Sequence, residues 1–210
     1  MIYNKFIYLL VFMVAFGLPV YSSQKASVEY NERRIDYSVI DRQQVLTEAD
    51  SFFDKYEETN ESKYLTTAMA KYYILTRINP TDLYSTVQLA KTYDINKNDR
   101  QAKKYFNVAM DINKNDAYFN YNFAEYYYAR KDYKRALKYY EKAYKNGYSE
   151  DFDTNLKIAT IYEKFADLEK AKYYYEKTNS IKKTQRIDKK INNIKKLNYE
   201  KSEYYGTSKK

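Results

Sequence analysis

The sequence predicts an all-α protein, an α-solenoid of about four helical hairpins followed by an amphipathic capping helix. Three observations predict this class. The 210 residues include only three Gly and two Pro, which suits long helices joined by short turns and argues against a many-stranded sandwich or barrel. Related residues return about every 34 positions, which is typical of stacked helical units. Near the C-terminus, apolar residues recur at helical spacing among lysines.

The first segment, 1–22, is expected to be a signal peptide or a short anchor rather than part of the fold. An unbroken apolar run covers 6–16, Pro19 then breaks the helix, and small residues such as Ser22 follow, as a signal peptidase requires. The run is shorter than the roughly 20 residues that cross a bilayer. We therefore expect export to the periplasm or cell envelope of a bacterium, with membrane anchoring by an uncleaved segment as the alternative. A polar lead-in, 23–44, follows.

Four alanines mark the repeat that follows the lead-in. They are 34, 34 and 35 residues apart, and each has an aromatic residue four positions later. Upstream of the last three alanines, the stretches 89–93, 123–127 and 158–162 share a large apolar residue, Ala, two variable residues and Tyr. The pairs of alanine and aromatic residue are Ala68 with Tyr72, Ala102 with Phe106, Ala136 with Tyr140, and Ala171 with Tyr175.

This pattern resembles the tetratricopeptide repeat, in which W-x2-L-G-x2-Y is followed by A-x3-F and then P. The position of the Trp is taken by Thr86, Asn120 and Asn155, and the first unit fits only if the turn around 58–62 is lengthened. The resemblance covers 45–181 and implies antiparallel helix pairs that bind a protein or peptide. The approximate repeats are 45–80, 82–115, 116–149 and 151–183.

The physical chemistry of helix pairs explains the recurring residues. A side chain as small as Ala is needed where two helix backbones approach closely, and the aromatic ring fills the wedge beside it. We expect helices over 82–95 and 99–112, and over 117–129 and 133–146. Gly147 suits a helix C-terminus. The expected N-caps, whose side chains accept backbone N–H groups, are Asp99, Asp116, Asp132 and Asp151.

The C-terminal segment, 184–210, is expected to form a basic capping helix and tail. Most of the excess positive charge lies there, because 182–210 carries ten Lys or Arg against three Asp or Glu. One helical stripe is apolar, so a cap over the last repeat is the first interpretation. Docking on a membrane, an anionic polymer or a partner is the alternative. The stripe consists of Ile187, Ile191, Ile194 and Leu197.

Composition excludes most catalytic and metal-binding designs. The chain has no Cys and no His, and its three glycines stand apart from one another, which removes thiolate chemistry, the commonest general base and any Gly-rich phosphate loop. The segments 94–99 and 111–116 begin like a calcium loop but lack its central Gly and closing Glu. We therefore expect no catalytic residue, no metal and no cofactor, and a non-enzymatic protein.

Twenty-nine tyrosines are the distinctive feature of the composition. Tyr favours interfaces because it offers a large ring and a hydroxyl at low entropic cost, although generic use of Tyr as a large residue is the alternative. We expect a concave, Tyr-rich groove, lined by the first helix of each hairpin, that binds a protein or peptide and no nucleic acid. Its predicted residues are Tyr84, Val87, Lys91, Tyr118, Tyr121, Asn122, Glu125, Tyr128, Leu156, Lys157, Thr160 and Lys164.

The resemblance also implies a narrower possibility for three of these groove residues. Some tetratricopeptide repeat proteins grip the C-terminal carboxylate of a peptide with Lys, Asn and Arg from consecutive first helices. Lys91, Asn122 and Lys157 are similar in type and order. The predicted role is that of an adaptor or assembly factor, and the sequence makes no prediction about its oligomeric state.

Overall fold

The structure, a computed structural model, describes residues 39–207, and side chains as far as 197. The predicted signal segment, most of the lead-in and the last three residues of the tail lie outside this range. Residues 39–207 contain α-helices and one π-helical turn and no strand, so the all-α class is confirmed. The helices are α1 (Arg42–Thr59), α2 (Ser62–Ile78), α3 (Leu83–Ile95), α4 (Asp99–Asn113), α5 (Ala117–Ala129), α6 (Tyr133–Ala143), α7 (Phe152–Lys164), α8 (Leu168–Ile181) and α9 (Gln185–Thr207).

The chain divides into two compact units, the first of which ends at Val108, within α4. In this unit α1 and α2 form a hairpin, and α3 packs against α2. Ala68 of α2 and Tyr72, one turn later, are both completely buried. The predicted pairing of a small side chain with a ring therefore forms the core of the hairpin.

The first hairpin differs from the prediction in where its extra residues lie. We expected a lengthened turn around 58–62, but α1 continues to Thr59 and α2 begins at Ser62. Asp41 caps α1 by accepting the backbone N–H groups of Gln43 and Gln44. The extra residues therefore lengthen α1, which has 18 residues, because helical hydrogen bonds satisfy backbone groups that a long turn would leave to water.

The second unit contains two hairpins and the capping helix. α5 pairs with α6, α7 with α8, and α9 packs against α8, while α6 also contacts α7. Both alanines of these hairpins, Ala136 and Ala171, are completely buried. The rings one turn later are also buried: Tyr140 is completely inaccessible to solvent, and Tyr175 is 2% exposed. The pattern of small and large residues thus has the same role as in the first unit.

Aspartate and asparagine side chains begin the helices. Asp116, Asp132 and Asp151 each accept the backbone N–H group three residues later, at 2.8, 3.0 and 2.7 Å. The prediction for Asp99 was wrong by one residue, because Asn98 is the cap and accepts the N–H of Gln101 at 3.2 Å. Asp99 is the first residue of α4 itself.

The turns inside three hairpins share one backbone feature. Lys97, Lys131 and Ala166 have φ values of 62°, 59° and 58°, and each lies directly before a cap residue. This left-handed conformation reverses the chain and places the next residue at the start of the second helix. The cap at Asn98 follows from this rule, since Lys97 is the left-handed residue.

Gly147 lies between hairpins rather than at a regular helix end. α6 ends at Ala143, and the chain widens into a π-helical turn, Tyr144–Tyr148. Gly147 has a φ of 137° within this turn, a region that L side chains rarely adopt. The helix predicted to end at 146 therefore ends at Ala143. A wider turn follows it, and Gly147 can adopt the positive φ that this turn requires.

Polar residues stand where the repeat pattern has Trp. Their side chains make hydrogen bonds to the backbone at the start of the first helix of each hairpin or in the turn before it. Asn120, which is completely buried, donates from Nδ2 to the backbone oxygens of Lys114 and Asp116, at 3.0 and 2.6 Å. Asn155 makes the equivalent pair of bonds one repeat later, at 2.8 and 2.7 Å. Thr86 donates to the oxygen of its own cap residue at 2.7 Å. Hydrogen bonds thus attach α5 and α7 to the turns before them, at the position where the repeat pattern has Trp.

The capping helix buries three of the four predicted apolar residues. Ile187, Ile191 and Ile194 are buried, whereas Leu197 is 47% exposed, so the stripe ends one turn earlier than predicted. Within residues 39–207, none of the helices is both long enough and apolar enough to cross a membrane.

Candidate functional site

The carboxylate of Glu125 connects three helices of the second unit. The hydroxyl of Tyr140, on α6, donates a hydrogen bond to its Oε1 atom. Nζ of Lys157, on α7, lies 2.8 Å from Oε1 and 2.9 Å from Oε2. The same Nζ lies 4.5 Å from the ring centroid of Tyr128, a favourable cation–π distance. These contacts hold α5 and α7 side by side.

The same arrangement recurs twice within the part of the chain that the structure describes. Each time a carboxylate on the first helix of a hairpin accepts the hydroxyl of the wedge tyrosine and a donor from a later helix. Phe106, the aromatic residue of the second hairpin, has no hydroxyl to donate. The recurring pairs are Asp50 with Tyr72 at 2.6 Å and Tyr84 at 3.0 Å, and Glu163 with Tyr175 at 2.5 Å and Lys190 at 2.6 Å.

Eight of the predicted groove residues form what we call the tyrosine face of the second unit. They are half-buried, apart from Lys164, which is exposed. Those on α5 are three or four residues apart. On α7, Leu156, Thr160 and Lys164 are four residues apart and Lys157 follows Leu156, so each set shares one side of its helix. The salt bridge between Glu125 and Lys157 joins the two sets. The face consists of Tyr118, Tyr121, Glu125, Tyr128, Leu156, Lys157, Thr160 and Lys164.

Neighbouring rings hold Tyr121 and Tyr128 of this face in place. Tyr121 meets Tyr140 edge-on with centroids 5.8 Å apart, and its ring lies 5.9 Å from that of Tyr148. Tyr128 packs edge-on against Tyr133 at 5.4 Å. Such contacts are favourable for aromatic pairs, and they fix side chains that a ligand would otherwise have to order.

The hydroxyl of Tyr121 stays protonated at all physiological pH values. Burial raises the pKa of Tyr121 well above its usual value, and the nearby carboxylates of Glu125, Asp153 and Asp151 raise it further. Burial likewise raises the pKa of Tyr140, together with its carboxylate partner Glu125. At Tyr121 the face therefore presents a neutral phenol, which donates and accepts hydrogen bonds without carrying charge.

Two predicted groove residues are not placed to meet a ligand. Val87 is completely buried, and Asn122 is only 6% exposed. The Nδ2 of Asn122 donates to the backbone oxygen of Tyr118 at 2.8 Å. Both residues therefore belong to the packed side of their helices.

In the first unit, Tyr84 and Lys91 are placed differently from the residues of the tyrosine face. Tyr84 is 37% exposed and donates to Asp50, and burial raises its pKa to about 12. Nζ of Lys91 lies 5.0 Å from the ring centroid of Phe53. The resemblance also implied that Lys91, Asn122 and Lys157 could bind the C-terminal carboxylate of a peptide. The second unit does not support this, because Asn122 is buried and Lys157 already pairs with Glu125.

Sequence reasoning missed the residues that brace the face. Tyr148 lies in the π-helical turn beside Gly147, and Tyr133 directly follows the cap Asp132. Nζ of Lys164 lies 4.8 Å from the ring centroid of Tyr133. The sequence signal that could have identified Tyr148 and Tyr133 is an aromatic residue directly after a turn residue, Gly147 or Asp132. Among the described residues, no three acidic side chains converge in a way that could hold a metal ion.

Comparison with known proteins identifies the fold. No protein-family model and no curated protein matches the sequence, but solved structures do. The chain is similar to MamA, with 19% identity over 79% of this chain and 88% of that chain and a TM-score of 0.59. The fold is that of tetratricopeptide repeat (TPR) proteins.

Two other TPR-type structures are also similar to the chain. PilW, described as a widely conserved type IV pilus biogenesis factor, shares 18% identity over 66% of this chain and 61% of its own, with a TM-score of 0.55. YrrB, described as a TPR protein with an unusual peptide-binding site, shares 14% identity over 72% of this chain and 85% of its own, with a TM-score of 0.54. At these identities the likeness establishes the TPR fold, and function has to be argued from the site.

Proposed function

We propose that the protein is a non-enzymatic scaffold that holds a peptide segment of another protein against the tyrosine face. The observation that carries the proposal is that Tyr118, Tyr121 and Tyr128 are half-buried on one side of α5, beside the salt bridge of Glu125 with Lys157. Braced rings lose little conformational entropy when a ligand covers them, and Tyr is among the residues that dominate binding energy at interfaces.

The TPR fold supports the same class of function. Helical hairpins of this kind hold a row of first helices in register, so side chains from α5 and α7 form one continuous surface. The peptide-binding site named for YrrB shows that a protein of similar fold binds a peptide. No chemistry beyond contact and hydrogen bonding is required of the residues on the tyrosine face.

The charges of the face predict the kind of peptide that fits. Glu125 and Lys157 neutralise each other at its centre, and the phenols are uncharged. Contact with the rings and with Leu156 therefore contributes most of the affinity, and hydrogen bonds to the hydroxyls fix the register. Such binding tolerates salt, because screening acts mainly on exposed charges.

We further propose that the protein works in the cell envelope after export. Support comes from the apolar run at 6–16 with Pro19 after it and from the similarity to PilW, a pilus biogenesis factor. N-terminal sequencing of the protein from an envelope fraction tests this. A start near residue 23 supports a cleaved signal, a start at Met1 in the envelope supports the anchor, and recovery from the cytosol contradicts export.

A binding experiment with matched variants tests the scaffold. The purified protein is screened against peptides tiled from envelope proteins, and affinities are measured by fluorescence anisotropy. Placing charge on the face with Tyr118→Glu and Leu156→Glu should weaken the bound peptides about tenfold or more. Tyr173→Glu is the control, since Tyr173 lies on α8 and is 51% exposed. Circular dichroism verifies that both variants keep the helical content of the wild type.

Two results of this experiment would contradict the proposal. One is that no peptide binds at micromolar concentrations or below. The other is that the control variant weakens binding as much as the face variant does, which would mean that the contact lies elsewhere.

A further inference from the structure

α9 is held to the last hairpin by its apolar side and by two polar contacts. Ile187, Ile191 and Ile194 are buried, and Nζ of Lys190 lies 2.6 Å from Oε1 of Glu163 on α7. Oδ1 of Asp188 accepts a hydrogen bond from Asn179 of α8 at 3.0 Å. The three isoleucines are therefore already packed within the protein. Between 185 and 197 the outward side of α9 is polar apart from Leu197, which is 47% exposed.

The outward side of α9 and the turn before it are strongly cationic. Asp188 is the only acidic residue between 182 and 197, and its carboxylate already accepts the hydrogen bond from Asn179. From Arg186 to Lys196 the helical rise spreads the charges over about 15 Å. The exposed cationic residues are Lys182, Lys183, Arg186, Lys189, Lys195 and Lys196.

A depression of about 510 Å³ lies on this side of α9. The described residues that line it are Gln185, Arg186, Lys189, Lys190 and Asn193. All five carry N–H groups that donate hydrogen bonds, and none is a carboxylate. Arg186 and Lys189 are exposed cations, whereas Lys190 already pairs with Glu163. A lining of this kind is suited to a phosphate group, which accepts several hydrogen bonds and carries negative charge.

We propose that this cationic surface binds the anionic headgroups of a phospholipid membrane, with a headgroup phosphate in the depression. A planar array of phosphates can meet charges spread along the whole outer side of a rigid helix at once. The apolar run at 6–16 would bring the chain to a membrane in either of its predicted roles, as signal or as anchor. This surface is separate from the tyrosine face, so the proposal goes beyond the peptide-binding function.

The packing of α9 determines how the surface binds. Because the isoleucines stay against α8, the helix does not insert into the bilayer and lies on the headgroups through charge alone. Each Lys or Arg near an anionic surface adds to the attraction, and this attraction falls off within the Debye length. Binding should therefore weaken steeply as salt rises, and the helical content should not change when vesicles are added.

Vesicle co-sedimentation of the full chain tests the proposal. The vesicles consist of phosphatidylcholine with or without phosphatidylglycerol, and NaCl is raised stepwise. The test variant is Arg186→Glu with Lys189→Glu. The control is Lys134→Glu with Lys145→Glu, which changes net charge equally at two other exposed positions of the second unit. We expect salt-sensitive binding that requires phosphatidylglycerol, falls about tenfold or more in the test variant, and is nearly unchanged in the control.

Three results would overturn the proposal. The first is binding that is the same without phosphatidylglycerol, which would assign the attachment to the apolar N-terminal run. The second is an equal loss in both variants, which would mean that net charge alone matters. The third is tighter binding to inorganic polyphosphate or duplex DNA than to vesicles at equal phosphate concentration, which would assign the surface to an anionic polymer.

Discussion

The hydroxyl of Tyr175 on α8 donates a hydrogen bond to the carboxylate of Glu163 on α7, 2.5 Å away. The second carboxylate oxygen of Glu163 accepts from Lys190 of α9 at 2.6 Å. One carboxylate therefore locks both helices of the last hairpin to the capping helix. Glu125 has the same role one hairpin earlier, with Tyr140 and Lys157 as its donors.

Removing the hydroxyl of Tyr175 tests the strength of this lock. Tyr175→Phe should lower the free energy of unfolding by about 1–2 kcal/mol, because a hydrogen bond to a charged acceptor is lost within the packed hairpin. Urea unfolding followed by circular dichroism measures the change. Tyr56→Phe is the control, since it removes a hydroxyl from a half-buried ring beside Phe53. Equal losses in the two variants would mean that the lock contributes nothing specific.

The stability of the last hairpin should depend on pH in acid. Burial alone would raise the pKa of the Glu163 carboxyl, but hydrogen bonds from Lys190 and Tyr175 outweigh this and hold the pKa below its usual value of 4.5. A lowered pKa in the folded state stabilises the protein above the unfolded pKa, and this contribution is lost as pH falls through the folded value.

We therefore expect the free energy of unfolding to decrease from about pH 5 downward. In Glu163→Gln the decrease should be smaller, because the variant has no carboxylate at this position to protonate. Urea unfolding across the acid range measures both proteins. Identical pH profiles for wild type and variant would contradict the assignment.

Asn120 should be essential to the junction before α5. Asn120→Ala removes two hydrogen bonds from a completely buried site and should cost about 1–3 kcal/mol. Asn120→Asp keeps the shape but points a carboxylate at two carbonyl oxygens, so it should cost more at neutral pH. Thermal unfolding at neutral and mildly acidic pH distinguishes the cases, because a protonated Asp can donate again. An Asp variant as stable as wild type at pH 7 would disprove the anchoring role.

The close crossing of α5 and α6 requires a small residue at 136. Ala136→Leu should overpack this completely buried position and lower stability by about 1–3 kcal/mol. Ala129→Leu adds the same atoms at the exposed end of α5 and should change stability little. Chemical unfolding compares the two variants. If Ala136→Leu has the same free energy of unfolding as the wild type, the helices are not in close contact there.

The spacing of the alanines predicted the fold because it records a steric requirement. Where two helices touch, only a small residue fits, so the contact is visible in the sequence at each repeat. Asp116, Asp132 and Asp151 were predictable as caps for a similar reason, since backbone N–H groups at a helix start require an acceptor. Local chemistry of this kind is largely independent of how distant elements pack.

The features that were not predicted depend on tertiary packing. Burial of Val87 and Asn122 follows from the rotation of each helix against its neighbours, and adjacent residues on a helix differ by about 100° in direction. The link from Lys157 to Glu125 joins residues 32 positions apart, so no local pattern shows it. Of the predicted binding residues, eight on α5 and α7 lie on one face, whereas Val87 on α3 and Asn122 on α5 are buried.

Site-specific photo-crosslinking tests the central proposal most directly. A photoreactive phenylalanine analogue replaces Tyr128 on the tyrosine face in one variant and Tyr173 on α8 in another. Both are expressed in native cells, and the crosslinked products are mapped by mass spectrometry. If the tyrosine face is the binding surface, position 128 crosslinks to one defined peptide segment of a partner and position 173 does not. Crosslinks only to this chain at position 128, or the same partner segment from both positions, would contradict it.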